Sequence, residues 1–401
     1  MNRSKLKREG QKWLEKNIIT EDQLEEMLSL YPKQDPRFIL MIFAVLLMSL
    51  GFLTFIFSDW AQVPHISRTL LMVVFMVVLY TIGDRMYRQD METLGISLIV
   101  LGYIMFGVGM LLTVTIYSIS LFSAWPFVIW SLIGLLLYIS YEHRWLFVIG
   151  ITVTTIGQIY SGIQFSSFNI IIFLILLLGY AHFTYHQAYR LFGYMFAISY
   201  SLQVITLTIV QDQQYYWLIV YFLLLYITGE IILKPLLARS LKHISLLSIF
   251  VFGMYQTFLL QESFLFQQTI EYHVVFFIVW VLLMGLVVTL KIKRRHHFEL
   301  IDLVLFIPVF YLPWASVFSL TILFIFSLAW LLVGYIKDFD NKILLGTTAF
   351  LLSTLTAYIQ FAWDAINKSL FFIIGGLLLF IISLLIDRQR RRLLSDRNRD
   401  V

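Results

Sequence analysis

Glu230 is the ionisable side chain that the sequence singles out for chemistry, because it lies inside a predicted membrane span, residues 215–233. Acidic side chains inside a membrane are costly and often mark the path of protons or ions. Lys234 follows four residues later, near the predicted inner edge of the membrane, where it would form an i,i+4 pair on one helix. The sequence therefore leaves two interpretations open, an ion- or proton-coupling role and an interfacial salt bridge.

Uncharged polar side chains in four other predicted spans form a second candidate site. The predicted topology places them at similar depth in the outer half of the membrane. A buried amide must find a hydrogen-bond partner, so these side chains either line an outward-facing polar cavity or bond between helices. The residues of this candidate polar cavity are Gln158, Gln203, Gln256 and Thr115.

The sequence contains no motif for metal, nucleotide or nucleophilic chemistry. It has no cysteine, which excludes thiolate metal sites and thiol nucleophiles. His296 and His297 continue a basic loop, which favours a solvated run facing phospholipid over a metal site with Glu299. Phosphate loops, nucleophile elbows and zinc-protease signatures are missing. Because the predicted loops are also too short for a soluble catalytic domain, the sequence favours a protein that is not an enzyme and has neither metal nor cofactor.

The composition indicates that these polar side chains belong to a membrane protein. The chain is 60% hydrophobic and 13% charged, whereas soluble domains are about 25% charged. Residues 38–57 form an uncharged stretch that, at about 1.5 Å per residue, covers the ~30 Å core of a bilayer. Basic residues border such stretches, so the net charge of +5 is a topology signal rather than an indication of nucleic-acid binding.

Repeated apolar stretches predict an all-α fold, a polytopic bundle of about 14 transmembrane helices. When the spans alternate, all but two of the 29 Lys and Arg residues, Arg68 and Lys368, fall on the side of the N-terminus. Lys and Arg collect in cytoplasmic loops, so this pattern predicts that both termini are cytoplasmic. The predicted spans are 38–57, 66–82, 93–116, 124–141, 145–161, 168–185, 191–210, 215–233, 244–260, 273–290, 300–312, 316–336, 343–360 and 369–386.

Two segments differ from the long apolar spans. Thr20 to Gln23 has the form of a capping box and predicts the start of a helix in the polar N-terminal segment. The span at 300–312 is the weakest, because it is short and contains Pro308, which favours a tilted or re-entrant segment. The predicted regions are a small cytosolic helical segment, 1–36, a transmembrane domain, 37–387, and a basic cytosolic tail, 388–401.

The N-terminal segment, the end of the first span, the third span and the C-terminal end contain loosely spaced motifs. They are Trp13, Ile19, Gln23, Tyr31, Asp59-Trp60, Phe106 to Gly109, Tyr117 and Lys368 to Leu377. In these motifs the chain resembles a bacterial family of predicted membrane proteins that is defined only as a domain of unknown function. That family opens with a small helical segment and ends its first span in an Asn-Trp pair, where this chain has Asp in place of Asn. The resemblance implies an integral protein of the bacterial envelope and implies no activity.

Three functions are compatible with the sequence. The number of spans, the short loops and the candidate cavity favour a transporter or lipid-handling protein of the cell membrane. An envelope scaffold or sensor that binds partners through its N-terminal helices is the first alternative, and a membrane-embedded transferase for lipid-linked substrates is the second. The expected partners are membrane lipids and other envelope membrane proteins, and not nucleic acid.

Overall fold

Helices are the only regular elements in the part of the chain that the structure describes, which confirms the predicted all-α fold. The structure, a computed structural model, describes residues 18–29, 64–117, 123–260, 273–294, 297–310 and 312–362, with isolated residues within 10–14, 43–54 and 370–377. The chain divides into two compact units, residues 1–150 and 151–401.

Twelve helices, labelled in chain order, and one 3-10 helix make up the described elements. They are α1 Glu21–Ser29, α2 His65–Arg88, α3 Glu92–Ile116, α4 Trp125–Tyr141, α5 Arg144–Phe165, α6 Ile170–Gln187, α7 Arg190–Val210, α8 Trp217–Ile231, α9 Pro235–Leu259, α10 Val274–Lys293, the 3-10 helix His297–Phe306, α11 Ala315–Ile336 and α12 Asp340–Ala362. Within α6, the residues Ile175–Tyr180 form a π-helical segment.

Nine of the described helices are long and apolar enough to cross a membrane, namely α2, α3, α5, α6, α7, α9, α10, α11 and α12. The shorter apolar helices α4 and α8 coincide with two further predicted spans. The predicted span 300–312 overlaps the 3-10 helix, while 38–57 and 369–386 lie almost wholly outside the described residues. The chain is therefore a multi-pass membrane protein, and the count of 14 spans stays a prediction.

The 3-10 helix runs antiparallel to α10. Glu299 meets Lys291 at 3.1 Å at one end, and the Trp280 indole donates to the Phe306 carbonyl at 2.8 Å farther along. A 3-10 helix rises about 2.0 Å per residue instead of about 1.5 Å, so ten residues cover roughly 20 Å. The short segment therefore follows most of the length of α10. The same ten residues in an α-helix would cover a shorter distance, which is why the sequence alone did not predict this.

Aromatic packing fills the other end of the same helices in the second unit. The ring of Tyr216, which precedes α8, stacks on Phe310 with centroids 5.0 Å apart. The same ring meets Phe276 of α10 edge-on at 4.7 Å. All three side chains are buried. The interior of this end is filled by aromatic rings, and the buried charged groups Glu230, Lys291 and Asp302 lie at the opposite end of α8, α10 and the 3-10 helix.

The N-terminal segment contains the predicted capping box. The Thr20 amide donates to Gln23 Oε1 at 3.1 Å, and the Gln23 amide donates to Thr20 Oγ1 at 3.4 Å. These reciprocal bonds satisfy two amide groups that a helix start would otherwise leave unpaired. The prediction of a helix at this position is confirmed by α1.

Candidate functional site

Glu230 lies near the end of α8 and is 1% exposed. Its partner is not Lys234, so the expected i,i+4 salt bridge is wrong. Because α8 ends at Ile231, Lys234 belongs to the start of the next helix and donates instead to the carbonyls of Tyr185 and His186. An i,i+4 pair requires one continuous helix, which the chain does not provide here.

Two lysines from other helices approach Glu230 instead. Lys242 of α9 has its Nζ 3.2 Å from Glu230 Oε2, and Lys291 of α10 has its Nζ 3.8 Å from the same oxygen. Both lysines also reach Glu299, at 2.9 Å and 3.1 Å. These four residues, Glu230, Lys242, Lys291 and Glu299, form a closed ring of alternating charges, which we call the ionic ring. Glu230 and Lys291 are buried, whereas Lys242 and Glu299 keep 18% and 31% of their side chains exposed, and each charge has two opposite charges within 4.0 Å.

The electrostatics of Glu299, which precedes the predicted span 300–312, follow from the ionic ring. Burial alone would raise the pKa of its carboxyl group, but the hydrogen bonds and charges of Lys242 and Lys291 outweigh burial and lower this pKa to about 2. Glu299 is therefore fully ionised near neutral pH. The side chain that the sequence placed in a solvated loop instead closes the ionic ring.

Arg294 fixes the basic loop after α10 to the end of α8. Its guanidinium donates to the backbone carbonyls of Glu230 and Ile231. These are carbonyls of the last turn of α8, where a cation is favourable because the helix leaves unpaired acceptors there. The basic residues after position 290 thus do more than mark topology: Lys291 is fully buried and Arg294 caps a neighbouring helix.

Asp302 of the 3-10 helix lies beside the ionic ring and is held in a different way. Its Oδ2 accepts a hydrogen bond from the Tyr226 hydroxyl at 2.7 Å, and its Oδ1 accepts one from the Trp330 indole at 2.8 Å. Asp302 is 3% exposed. Lys291 Nζ lies 5.0 Å above the Tyr226 ring, and Lys342 Nζ lies 3.5 Å above the Trp330 ring. The two neutral groups that donate to Asp302, Tyr226 and Trp330, therefore each have a lysine above the face of their ring.

Sequence reasoning missed Asp302, although the residue falls within the predicted span 300–312. The available signal was the carboxylate itself, because a charged side chain inside a short apolar stretch requires a partner. Lys242 was missed for a different reason. It lay in a predicted loop, residues 234–243, whereas α9 already begins at Pro235 and carries this side chain into the bundle.

The candidate cavity residues lie in different hydrogen-bonded settings. The Gln158 amide, in the orientation that satisfies both of its polar atoms, donates to the Asn169 carbonyl at 3.0 Å and accepts from the Asn169 amide at 3.2 Å. Asn169 itself caps α6. Gln158 therefore fixes the turn between α5 and α6, which is the structural alternative that the sequence left open.

Two of the remaining cavity candidates, Gln203 and Gln256, are buried side chains of the second unit. Gln203 donates to Ser199 Oγ at 3.4 Å, and Ser199 lies 2.6 Å from Thr155 Oγ1, so this amide belongs to a polar contact between α7 and α5. Gln256 is buried on α9. Thr115 lies near the end of α3, and its side chain lies outside the described part of the chain. A shared polar cavity of these residues stays a prediction.

A separate groove of about 670 Å³ lies between α7, α8 and α9. Its apolar walls include Ile209, Leu247 and Tyr255, whose side chains are 70%, 57% and 52% exposed. Midway, Ser248 donates to Ser201 at 3.2 Å. The groove ends at polar residues of the turn after α7 and the end of that helix, namely Thr208, Asp212, Gln213 and Tyr215.

Comparison with known proteins identifies one family. Residues 11–147 match the model of a family described as "Predicted membrane protein (DUF2157)". The resemblance predicted from the sequence is confirmed. No curated protein and no solved structure matches this chain. The ionic ring, Asp302 and the groove lie beyond the matched residues, so the family description does not bear on them.

Proposed function

We propose that this chain is a lipid-handling protein of the cell membrane, which binds the apolar chain of a membrane amphiphile in the groove between α7, α8 and α9. The observation that supports this proposal most is the distribution of polarity along the groove. From Ile198 to Ile209, α7 lines it over about 17 Å at a rise of ~1.5 Å per residue. Apart from the mutually bonded Ser201 and Ser248 in the middle, the walls are apolar along this length, and the carboxylate and amide side chains lie at one end, which matches a molecule with a tail and a headgroup.

The polar end favours a particular headgroup. Asp212 is an exposed carboxylate there, and the described residues that line the groove include no Lys, Arg or His. A carboxylate repels a purely anionic headgroup and attracts a cationic nitrogen. We therefore expect a zwitterionic or amine-bearing amphiphile rather than an anionic lipid.

The predicted topology assigns the groove to one leaflet. We propose fourteen spans with both termini cytoplasmic, which places the turn after α7, and with it the polar end of the groove, at the outer face. The antiparallel course of the 3-10 helix along α10 supports a membrane crossing at 300–312. The expected ligand is therefore an amphiphile whose headgroup reaches the outer leaflet.

Native mass spectrometry of the protein released gently from its own membrane tests this proposal. Ser248→Phe places a ring in the middle of the groove, and Ser140→Phe makes the same change at an exposed position of α4 as a matched control. We expect a retained amine-bearing lipid in the natural protein and in Ser140→Phe, and its loss in Ser248→Phe.

Three results would contradict the proposal. Equal lipid occupancy in both variants would exclude the groove as the binding site. A natural protein that retains no lipid would contradict the lipid-handling function itself. A retained protein partner without lipid would instead favour the envelope scaffold, in which residues 1–36 bind that partner.

A further inference from the structure

The three carboxylates at the charged end of the second unit are compensated differently. Glu230 and Glu299 each have two lysines within 4.0 Å in the ionic ring. Asp302 has no lysine, arginine or histidine at that distance among the described residues, and both of its oxygens accept from neutral groups, the Tyr226 hydroxyl and the Trp330 indole. A buried carboxylate without a direct counter-ion is the group in this cluster that neutralises at the lowest cost.

We propose that Asp302 is a reversible proton-binding site of this protein, while Glu230 and Glu299 of the ionic ring stay charged. The step is the addition of one proton from water to Asp302 Oδ2, which forms an O–H bond and breaks no other covalent bond. This inference does not depend on the groove, because none of these residues lines it.

The hydrogen-bond partners of Asp302 suit both protonation states. An indole N–H only donates, so Trp330 keeps its bond to Oδ1 whether the carboxyl group is ionised or neutral. A phenol hydroxyl both donates and accepts, so Tyr226 can donate to the carboxylate and accept from the protonated acid at the same 2.7 Å contact. The proton can therefore bind without rearrangement of the helices that hold the site.

The same geometry disfavours a metal cation as the ligand. Hard cations take six or more oxygen ligands in most protein sites. The contacts of Asp302 provide one oxygen, that of Tyr226, and an N–H group that points its hydrogen at the carboxylate. The described residues contain no group of three or more acidic, histidine or cysteine side chains that could hold a metal ion.

Proton binding changes the charge balance around Asp302. The charged groups that face it are Lys291 of α10, Lys342 of α12, Glu299 of its own segment and, through the ionic ring, Glu230 of α8 and Lys242 of α9. With Asp302 ionised, three carboxylates oppose these three lysines. Once Asp302 is neutral, one positive charge is in excess.

Lys342 is the lysine that this excess affects. Lys242 and Lys291 each retain the carboxylates of the ionic ring. Lys342 Nζ lies over the Trp330 ring, and Trp330 is a direct partner of Asp302. We therefore expect proton binding to weaken the electrostatic attraction that keeps Lys342, and with it the start of α12, in place.

Infrared difference spectroscopy of the protein in lipid vesicles, titrated over the pH range in which it stays folded, tests the proposal. A protonated carboxyl group has a C=O absorption that a carboxylate lacks. We expect such a band to appear as the pH falls, to be absent from Asp302→Asn, and to persist in Glu230→Gln, which removes a carboxylate of the ionic ring.

Each alternative result is informative. A band that Glu230→Gln removes and Asp302→Asn retains would overturn the proposal and assign the proton to Glu230, the residue that the sequence singles out. The same spectrum from the natural protein and Asp302→Asn at every pH would show that Asp302 stays ionised. Tyr226→Phe keeps Asp302 and removes the acceptor of the acid proton, so we expect it to shift the band. An unshifted band would contradict the proposal even if Asp302→Asn does not fold.

Discussion

The two units of this chain hold charge in different ways. In the first unit, Asp84 and Arg88 are four residues apart on α2 and meet at 2.8 Å, with the arginine side chain 76% exposed. In the second unit, Glu230 meets Lys242 and Lys291 from two other helices, and both Glu230 and Lys291 are almost completely removed from solvent. Proximity in sequence forms the first pair, and packing of helices forms the ionic ring.

We therefore expect the loss of one partner to lower the free energy of unfolding by different amounts in the two kinds of ion pair. An exposed pair on one helix is screened by water and salt, and each partner is well solvated if the other is removed. A buried ion that loses its partner has no such alternative, so removal of one member is strongly destabilising even where the whole pair adds little net stability. The ionic ring is therefore a structural constraint on α8, α9, α10 and the 3-10 helix.

The largest effect is expected from Lys291→Met, which leaves Glu230 with one lysine instead of two. We expect a loss of about 3–5 kcal/mol of unfolding free energy, the range for one partner removed from a buried ion pair. Denaturant or thermal unfolding in detergent micelles measures it. Lys293→Met is the matched control, since this lysine is exposed two residues later on α10. Equal losses in the two variants would contradict the buried position of Lys291.

The acid dependence of stability sharpens the comparison. The pKa of Glu299 is lowered from an ordinary 4.5 to about 2, so its ionised form stabilises the folded protein fully above about pH 4.5. That contribution is lost as the pH falls from 4.5 towards 2. We expect unfolding measured across this window to show a weaker pH dependence in Glu299→Gln than in the natural protein. Asp90→Asn, at an exposed turn, should leave the dependence unchanged.

The smallest effect is expected in the first unit. Arg88→Gln removes the exposed partner of Asp84, which keeps a hydrogen bond from the Tyr141 hydroxyl at 3.0 Å. We expect no measurable change in the unfolding midpoint, in low or high salt. A loss comparable to that of Lys291→Met would show that exposure does not separate the two kinds of ion pair.

The elements predicted correctly from the sequence are those that depend on local pattern. Long apolar stretches predicted the nine long helices, and the spacing of Thr20 and Gln23 predicted the capping box. Each depends on residues within one turn or one helix. Composition likewise predicted a membrane protein, because the bilayer requires long uncharged segments.

The partners in the candidate site could not be predicted in this way. Lys234 was expected beside Glu230 because four residues separate them, but the helix ends between them. Lys291 is 61 positions beyond Glu230, and only the packing of α8 against α10 brings them together. The span at 300–312 looked weak because it contains Pro308 and is short. Its length was judged by the α-helical rise, whereas a 3-10 helix, here His297–Phe306, covers more distance with the same number of residues.

A double-mutant cycle on Glu230→Gln and Lys291→Met tests the ionic ring most directly. It measures whether the two substitutions affect the unfolding free energy independently. Either single substitution leaves the other residue with one opposite charge instead of two, and the double variant avoids this imbalance. We therefore predict that the double variant is more stable than the sum of the single losses allows, with a coupling energy of about 0.5–3 kcal/mol. Losses that add within about 0.3 kcal/mol would show that Glu230 and Lys291 do not interact, and would contradict the ionic ring described above.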